Sequence, residues 1–153
     1  MTDQSADPPT RTMALDVGLK TVGVAVSDPL GIIAQGITTV RRTGLKADLA
    51  AIEGLIGEHA VDRIVVGWPL QPNGRPGAMA RIVDRLAKAL GARTGLPIER
   101  WDERMTSRQA ERALIEGGAR RATRRQVVDK VAATLILQSW LDAQPAADRG
   151  DVD

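Results

Sequence analysis

The alternation of apolar and polar positions along the chain predicts three strands first, followed by helices that alternate with two further strands. Short runs rich in β-branched residues have the length of strands, and they lie at residues 13–17, 21–27, 37–41, 63–67 and 98–102. Gly18-Leu19-Lys20 separates the first two runs, which predicts a tight hairpin. A segment rich in Pro, Gly and Asn at residues 71–77 predicts a loop.

Apolar residues three and four positions apart predict four helices. Two of them begin with a Thr-x-x-Gln capping pattern, at Thr106 and Thr123, and Gly95 with Pro97 ends another. The predicted helices cover residues 47–59, 78–93, 106–117 and 123–143. Hairpin strands followed by strands that alternate with helices indicate an α/β fold, in which helices flank a mixed sheet.

The length of 153 residues predicts one domain, which we place at residues 13–143. The polar residues 1–12 are expected to form a flexible tail, and the acidic residues 144–153 a second one. No run of about 18 apolar residues occurs, so no membrane span is predicted. The first residues also lack the apolar centre of a signal peptide.

Composition excludes several kinds of chemistry. The chain has no cysteine, which rules out thiol catalysis and thiolate zinc sites and suits a cytoplasmic location. It also has no Phe, no Tyr and three Trp, which argues against a row of aromatic side chains that stack on single-stranded nucleic acid.

Three acidic positions stand at the borders of apolar segments. Asp16 lies within the first predicted strand, Asp102 and Glu103 close the last one, and Asp129 begins the apolar part of the last helix. A carboxylate beside a core is costly unless a cation compensates it. If these groups converge, they would bind Mg²⁺ or Mn²⁺ and support phosphodiester hydrolysis. The alternative is structural: a turn aspartate at residue 16 and a helix-start aspartate at residue 129.

Basic residues are clustered although the formal net charge is only +2. Such a cluster either follows a phosphate backbone or forms a solvated surface. Lys20 and Arg104 are further candidates for phosphate contacts. The cluster comprises Arg120, Arg121, Arg124 and Arg125, with a smaller pair at Arg41 and Arg42.

Four segments carry a resemblance to a known family. The sequence ALDVGLKTVGVAVSD at residues 14–28 is similar to the opening motif of the YqgF family of RuvC-like proteins. Later motifs of that family resemble VVGWPL at 65–70, DERMTS at 102–107 and DKVAATLILQ at 129–138. Two positions depart from the family pattern, which usually has Arg where Thr21 stands and a smaller apolar residue where Trp68 stands.

The resemblance implies an RNase H-like fold and a metal-dependent nuclease. By this resemblance, the metal ligands of this chain would be Asp16, Asp129 and either Glu103 or Asp102. Alternation along the strand puts Trp101 and Glu103 on one face, and Trp101 marks that face as buried, so Glu103 is preferred. The only histidine, His59, is expected to be structural.

The resemblance also implies the expected activity, which is processing of the 5' end of precursor 16S rRNA, and the protein is expected to be a monomer or weak dimer. Two alternatives stay open: a Holliday junction resolvase, which would need two sites in a dimer, and a non-catalytic RNA-binding assembly factor. The Asp-x-Gly pattern at Asp16 also occurs in actin-like phosphotransferases, but those need two lobes of this size.

Overall fold

The computed structural model describes residues 10–102 and 121–145, with the side chains of residues 121–130 excepted. The described part is a mixed sheet with helices on both faces, as the sequence predicts. Its elements in chain order are β1 (Arg11–Val17), β2 (Thr21–Ser27), β3 (Ala34–Arg41), α1 (Leu45–Glu58), β4 (Val61–Trp68), α2 (Ala78–Thr94), β5 (Ile98–Asp102) and α3 (Arg121–Ala143).

The five strands lie in the order β3-β2-β1-β4-β5, so β1 is central. β1 pairs antiparallel with β2, and β2 pairs antiparallel with β3. On the other side β1 is parallel to β4, and β4 is parallel to β5. Because parallel strands finish at the same side of a sheet, β1, β4 and β5 end together at Val17, Trp68 and Asp102. We call this side the carboxyl edge.

The larger core lies between the sheet and helices α1 and α2. Successive strand residues point to opposite faces, so one residue in two enters this core. The fully buried members with large side chains include Met13, Leu15, Ile52, Ile64, Val66, Leu86 and Leu90.

Helix α3 covers the opposite face through small residues. Ala14 and Ala25 of the sheet and Ala133 of α3 are completely buried in this second core, together with Val65, Ile136 and Leu137. Alanine at the contact lets the helix approach the central strand closely. Two polar contacts fix the position of the helix: Trp101 Nε1 donates to Ser139 Oγ at 3.1 Å, and Gln138 Oε1 accepts from Ala34 N at 2.9 Å.

Several element borders differ from the sequence prediction. β1 begins at Arg11, two residues earlier than predicted, since Arg11 N donates to Ala60 O and Thr12 N donates to Ser27 Oγ, each at 3.0 Å. Arg11 and Thr12, which the sequence prediction assigned to the N-terminal tail, therefore belong to β1. β3 also starts earlier, at Ala34, where it pairs with Ser27. The helix predicted at residues 106–117 lies outside the described residues.

Within residues 10–102 and 121–145, none of the helices is both long and apolar enough to cross a membrane.

The tight contact beneath α3 gives a stability prediction. Ala14→Leu should lower the free energy of unfolding by about 1–3 kcal/mol, because the added carbons have no space between β1 and α3. Urea denaturation measures the change. Ala51→Leu on the exposed side of α1 is the matched control and should change stability by less than about 0.5 kcal/mol. Equal effects of the two substitutions would contradict close packing at Ala14.

Candidate active site

Asp16 lies near the carboxyl edge on the central strand. It follows the fully buried Leu15, is half-buried itself and pairs in register with Gly23 of β2. Ala14 packs against α3, and alternation places Asp16 on that same face. The sheet therefore presents this carboxylate toward the side of the molecule on which α3 lies.

The hairpin that follows Asp16 is as tight as the sequence predicts. Gly18 N donates to Thr21 O at 2.8 Å, which closes the turn. A Cβ atom on Gly18 would lie 3.1 Å from that same oxygen, closer than most Cβ contacts, so glycine suits the position. Lys20 is exposed at the tip of the turn, where it is accessible to a phosphate.

A buried ion pair between Arg42 and Asp48 stabilises this hairpin. Asp48 in the first turn of α1 is 1% exposed, and its Oδ2 accepts a hydrogen bond from Arg42 Nε at 3.1 Å. Another nitrogen of the Arg42 guanidinium donates to Gly18 O at 3.1 Å, and Arg42 N donates to Lys20 O at 2.8 Å. Arg42 thus connects α1 to the turn two residues beyond Asp16.

Electrostatics keep Asp48 ionised. Burial raises the pKa of Asp48, but hydrogen bonds from Thr43 N, at 2.9 Å, and from Arg42 outweigh it, so the pKa is lowered overall. The sequence pattern indicated Arg41 and Arg42 as a possible phosphate-binding pair, and it gave no role to Asp48. The signal that could have revealed Asp48 is a charged residue beside the apolar Leu49 at a helix start.

On the last strand, β5, Asp102 lies on the opposite face of the sheet from Asp16. Trp101 packs against the α3 core, whereas Ile98 packs against the α1–α2 core. Asp102 shares the face of Ile98 by alternation, and it pairs in register with Trp68 at the carboxyl edge. Glu103, the other candidate, lies outside the described residues, as does Arg104.

Helix α3 includes the position of Asp129. Residue 129 lies one turn before the buried Ala133 and two turns before Ile136. Arg121, Arg124 and Arg125 belong to the first turns of the same helix, and Arg120 precedes the described part of it. The side chains of all these charged residues lie outside the described set.

The chemistry of the candidate ligands fits a hard divalent cation, since Mg²⁺ and Mn²⁺ prefer carboxylate oxygens. Residues 10–102 and the side chains of residues 131–145 contain no group of three His, Cys, Asp or Glu that could hold a metal ion. Of the three predicted metal ligands, the structure describes the side chain of Asp16, which lies on the α3 face. The side chains of Glu103 and Asp129 are outside the described part.

His59 lies at the far end of the sheet from these residues. It ends α1, and its carbonyl oxygen accepts from the Arg11 guanidinium at 3.2 Å. Arg11 begins β1, and Asp16 lies five residues along that strand, about 16 Å away at 3.3 Å per residue. This position agrees with a structural role for His59.

Comparison with solved structures defines the class of the fold. Thermus thermophilus RuvC in complex with a Holliday junction substrate superimposes with a TM-score of 0.55, covering 93% of this chain and 97% of that chain at 16% identity. A second Thermus thermophilus RuvC structure gives a TM-score of 0.53 at 12% identity, over 93% and 98% of the two chains. The protein has the RuvC-like, RNase H-like fold that the sequence predicts.

Sequence comparison gives the family. The profile described as "RuvX: Holliday junction resolvase" matches residues 10–143, and the chain belongs to this RuvX (YqgF) family. A Myxococcus xanthus protein is 52% identical over 138 residues, which cover 90% of this chain and 91% of that one. A Moorella thermoacetica protein is 52% identical over 132 residues, covering 86% and 94%. Both relatives carry the name "Putative pre-16S rRNA nuclease".

The Asp48 ion pair predicts how stability depends on pH. A carboxyl group whose pKa is lowered by folding stabilises the protein above its ordinary pKa, and this contribution is lost as the pH falls through the lowered value. Asp48→Asn should therefore cost about 1–3 kcal/mol at neutral pH and make unfolding less dependent on pH between about pH 5 and about pH 2. Urea denaturation across this range measures both effects.

The control for this experiment is Asp62→Asn, which changes an exposed carboxylate on β4. This variant should follow the parent curve at every pH. If Asp48→Asn also follows the parent curve, the ion pair does not hold α1 to the hairpin.

Proposed function

We propose that this protein is a metal-dependent nuclease that processes the 5' end of precursor 16S rRNA. The observation that carries the proposal is the position of Asp16, at the carboxyl edge of the central strand and on the face that α3 covers. Membership of the RuvX family and the names of the relatives support the reaction and the substrate. The lack of cysteine suits action in the reducing cytoplasm.

The proposed metal ligands are Asp16, Glu103 and Asp129. Because Trp101 faces α3 and Asp102 lies on the other face, alternation along the strand favours Glu103 as the ligand that joins Asp16. The register of α3 favours Asp129, because it stands one turn from Ala133 on the side that packs on the sheet. Asp102 remains the alternative third ligand at the same edge.

Each residue has a defined task in this proposal. Carboxylates would hold two divalent ions, and when bound these ions supply water activation and stabilisation of the leaving oxygen. Lys20, exposed at the hairpin tip, contacts the substrate backbone, and Arg104 is proposed to do the same. Arg42 and Asp48 keep the turn after Asp16 in place, so the carboxylate is positioned before substrate arrives.

Two other functions are compatible with the family. The RuvX profile is described as a Holliday junction resolvase, and resolution of a four-way junction requires two sites related by a dyad. A non-catalytic RNA-binding assembly factor would keep the fold and the basic cluster without cleavage. Assays with precursor rRNA and four-way junctions, each with Mg²⁺ or Mn²⁺, separate the three functions.

The ligand assignment predicts which substitutions abolish cleavage. Asp16→Asn, Glu103→Gln and Asp129→Asn should each reduce metal-dependent cleavage of precursor rRNA to background. Melting temperatures should stay the same or rise slightly, because each change relieves repulsion between neighbouring carboxylates. Cleavage is followed on gels, and unfolding is followed by circular dichroism.

Asp102→Asn is the matched control, since it changes the adjacent carboxylate on the other face of β5. It should retain cleavage at the parent level within about a factor of three. If Asp102→Asn is inactive and Glu103→Gln is active, the two residues exchange roles. If Asp129→Asn loses stability while it keeps activity, Asp129 stabilises the helix start and does not bind metal.

The arginine cluster predicts a salt-dependent contribution to RNA affinity. Replacement of Arg120, Arg121, Arg124 and Arg125 by Ala should weaken binding to all RNA sequences and flatten its dependence on salt, because each phosphate contact releases counterions. Fluorescence anisotropy across a salt series measures the slope. We expect these four arginines to be solvated, so thermal stability should hardly change, because solvated charges contribute little to it.

The control variant removes four exposed cations that lie elsewhere, namely Lys46, Arg63, Arg85 and Arg93. This control changes the net charge by the same amount as the cluster variant, but it should weaken RNA binding less. If the two quadruple variants bind alike, the cluster is a solvated surface and the RNA follows another path.

A further inference from the structure

Trp68 and Arg100 form a stack at the carboxyl edge, on the α2 face of the sheet. The guanidinium carbon of Arg100 lies 4.1 Å from the centroid of the Trp68 ring, within the range of a cation–π contact. Arg100 also donates a hydrogen bond to Asp84 Oδ1 on α2. The guanidinium is thereby held by the ring and by the carboxylate, yet the Arg100 side chain is 51% exposed.

Asp84 is held in its ionised form at this position. A hydrogen bond from Lys88 is the main cause that lowers the pKa of Asp84; partial burial opposes it, and Arg100 adds to it. Lys88 Nζ lies 3.1 Å from the other carboxylate oxygen. The carboxylate therefore has a cation on each oxygen, and it orients Arg100 rather than binding an incoming cation.

The stack forms one wall of a surface cavity of about 290 Å³. Pro76 and Ala80 line it with apolar atoms, and Arg81 adds a second cation. Pro76 belongs to the loop between β4 and α2, which a bridge from Leu70 to Pro76 closes. The size is near the lower limit of sites that bind small ligands, so one planar ring system suits it.

This cavity lies beside the proposed cleavage site. Trp68 pairs with Asp102 on β5, and its neighbour Gly67 is level with Asp16 on β1, one step beyond the Leu15–Val66 pair. Adjacent strands lie about 4.8 Å apart. A nucleic acid strand that crosses the carboxyl edge would thus bring a phosphate to the α3 face and an adjacent nucleotide to the α2 face.

The chemistry of the wall selects the ligand. A guanidinium that lies over a tryptophan ring and is half exposed is accessible to another flat group, and nucleobases stack on both arginine planes and aromatic rings. A base inside a duplex is not accessible to such a wall, but an unpaired base is. Arg81, which also lines the cavity, supplies a cation for the phosphate of the same nucleotide.

We propose that Arg100, held on Trp68 by Asp84, stacks on one unpaired nucleobase of the strand that the protein binds. This subsite rests on the proposed action on nucleic acid, but it requires neither metal nor cleavage. The scarcity of aromatic residues argues against a row of stacked bases, and a single subsite needs only one such wall. The protein would then prefer RNA that has a single-stranded segment next to a helix.

Arg100→Lys tests the proposal directly, because lysine keeps the charge and can pair with Asp84 but has no planar face. The probe is a fluorescein-labelled RNA hairpin with a single-stranded 3' extension, and its binding is measured by fluorescence anisotropy in EDTA. We expect Arg100→Lys and Arg100→Gln to bind about tenfold more weakly than the parent, a typical contribution of one stacked base.

Arg63→Lys is the matched control. Arg63 lies over another tryptophan, Trp140, at 5.5 Å, but it stands near the opposite end of β4 and on the α3 face. This variant should bind the RNA as the parent does. Melting temperatures of all variants confirm that each of them folds.

A second probe separates stacking from a phosphate contact. The same RNA with abasic nucleotides throughout its extension should bind the parent about tenfold more weakly, and Arg100→Lys should cause no further loss. If Arg100→Lys matches the parent on the intact RNA, or weakens both RNAs equally, the stacking subsite is overturned.

The outcome for the subsite is distinguishable from the outcome for the proposed function. If Arg100→Lys matches the parent in binding and the parent cleaves precursor rRNA with Mg²⁺, the nuclease stands and the subsite falls. If the parent neither binds the intact RNA nor cleaves it, both proposals fail.

Discussion

The structure depends on one constraint, which is that the central strand is buried on both faces and paired along both sides. Ala14 and Leu15 are adjacent and completely buried, one beneath α3 and the other beneath α1 and α2. Such a strand has no solvated face, so a carboxylate can be placed on it only near the end, where Asp16 lies. The position of the proposed site follows from this burial.

The elements of the fold could be predicted from the sequence because each has a local signal. The Gly18 hairpin, the strand at Ile98–Asp102 and the helix end at Gly95, which adopts a left-handed conformation, agree with the prediction. Borders that depend on partners were missed. β1 and β3 start earlier than their β-branched runs, since backbone pairing with Ala60 and Ser27 extends strands whose own residues give a weaker signal.

The candidate site was predictable only in part, because some of its contacts also depend on partners that are distant in sequence. Asp16 could be found from its apolar neighbours, and the facing of Trp101 could be inferred from alternation along one strand. The contacts of Arg42 with Gly18 and of Arg100 with Trp68 join residues that are 24 and 32 positions apart in sequence. No local pattern encodes them, because they arise from strand order and register.

The strand order also has a consequence for folding. β1, β2 and β3 pair with their neighbours in sequence, so they can associate through short loops, which close at little entropic cost. β4 must instead return past β2 and β3 to reach β1, and β5 can be added only after β4. Non-local pairing of this kind slows folding. Until it occurs, β1 exposes an unpaired apolar side that could join another chain. The step that removes this hazard also places Trp68 at the carboxyl edge next to β1 and provides the strand on which β5 then adds Asp102, so a chain that has not completed its core has not assembled its carboxyl edge either.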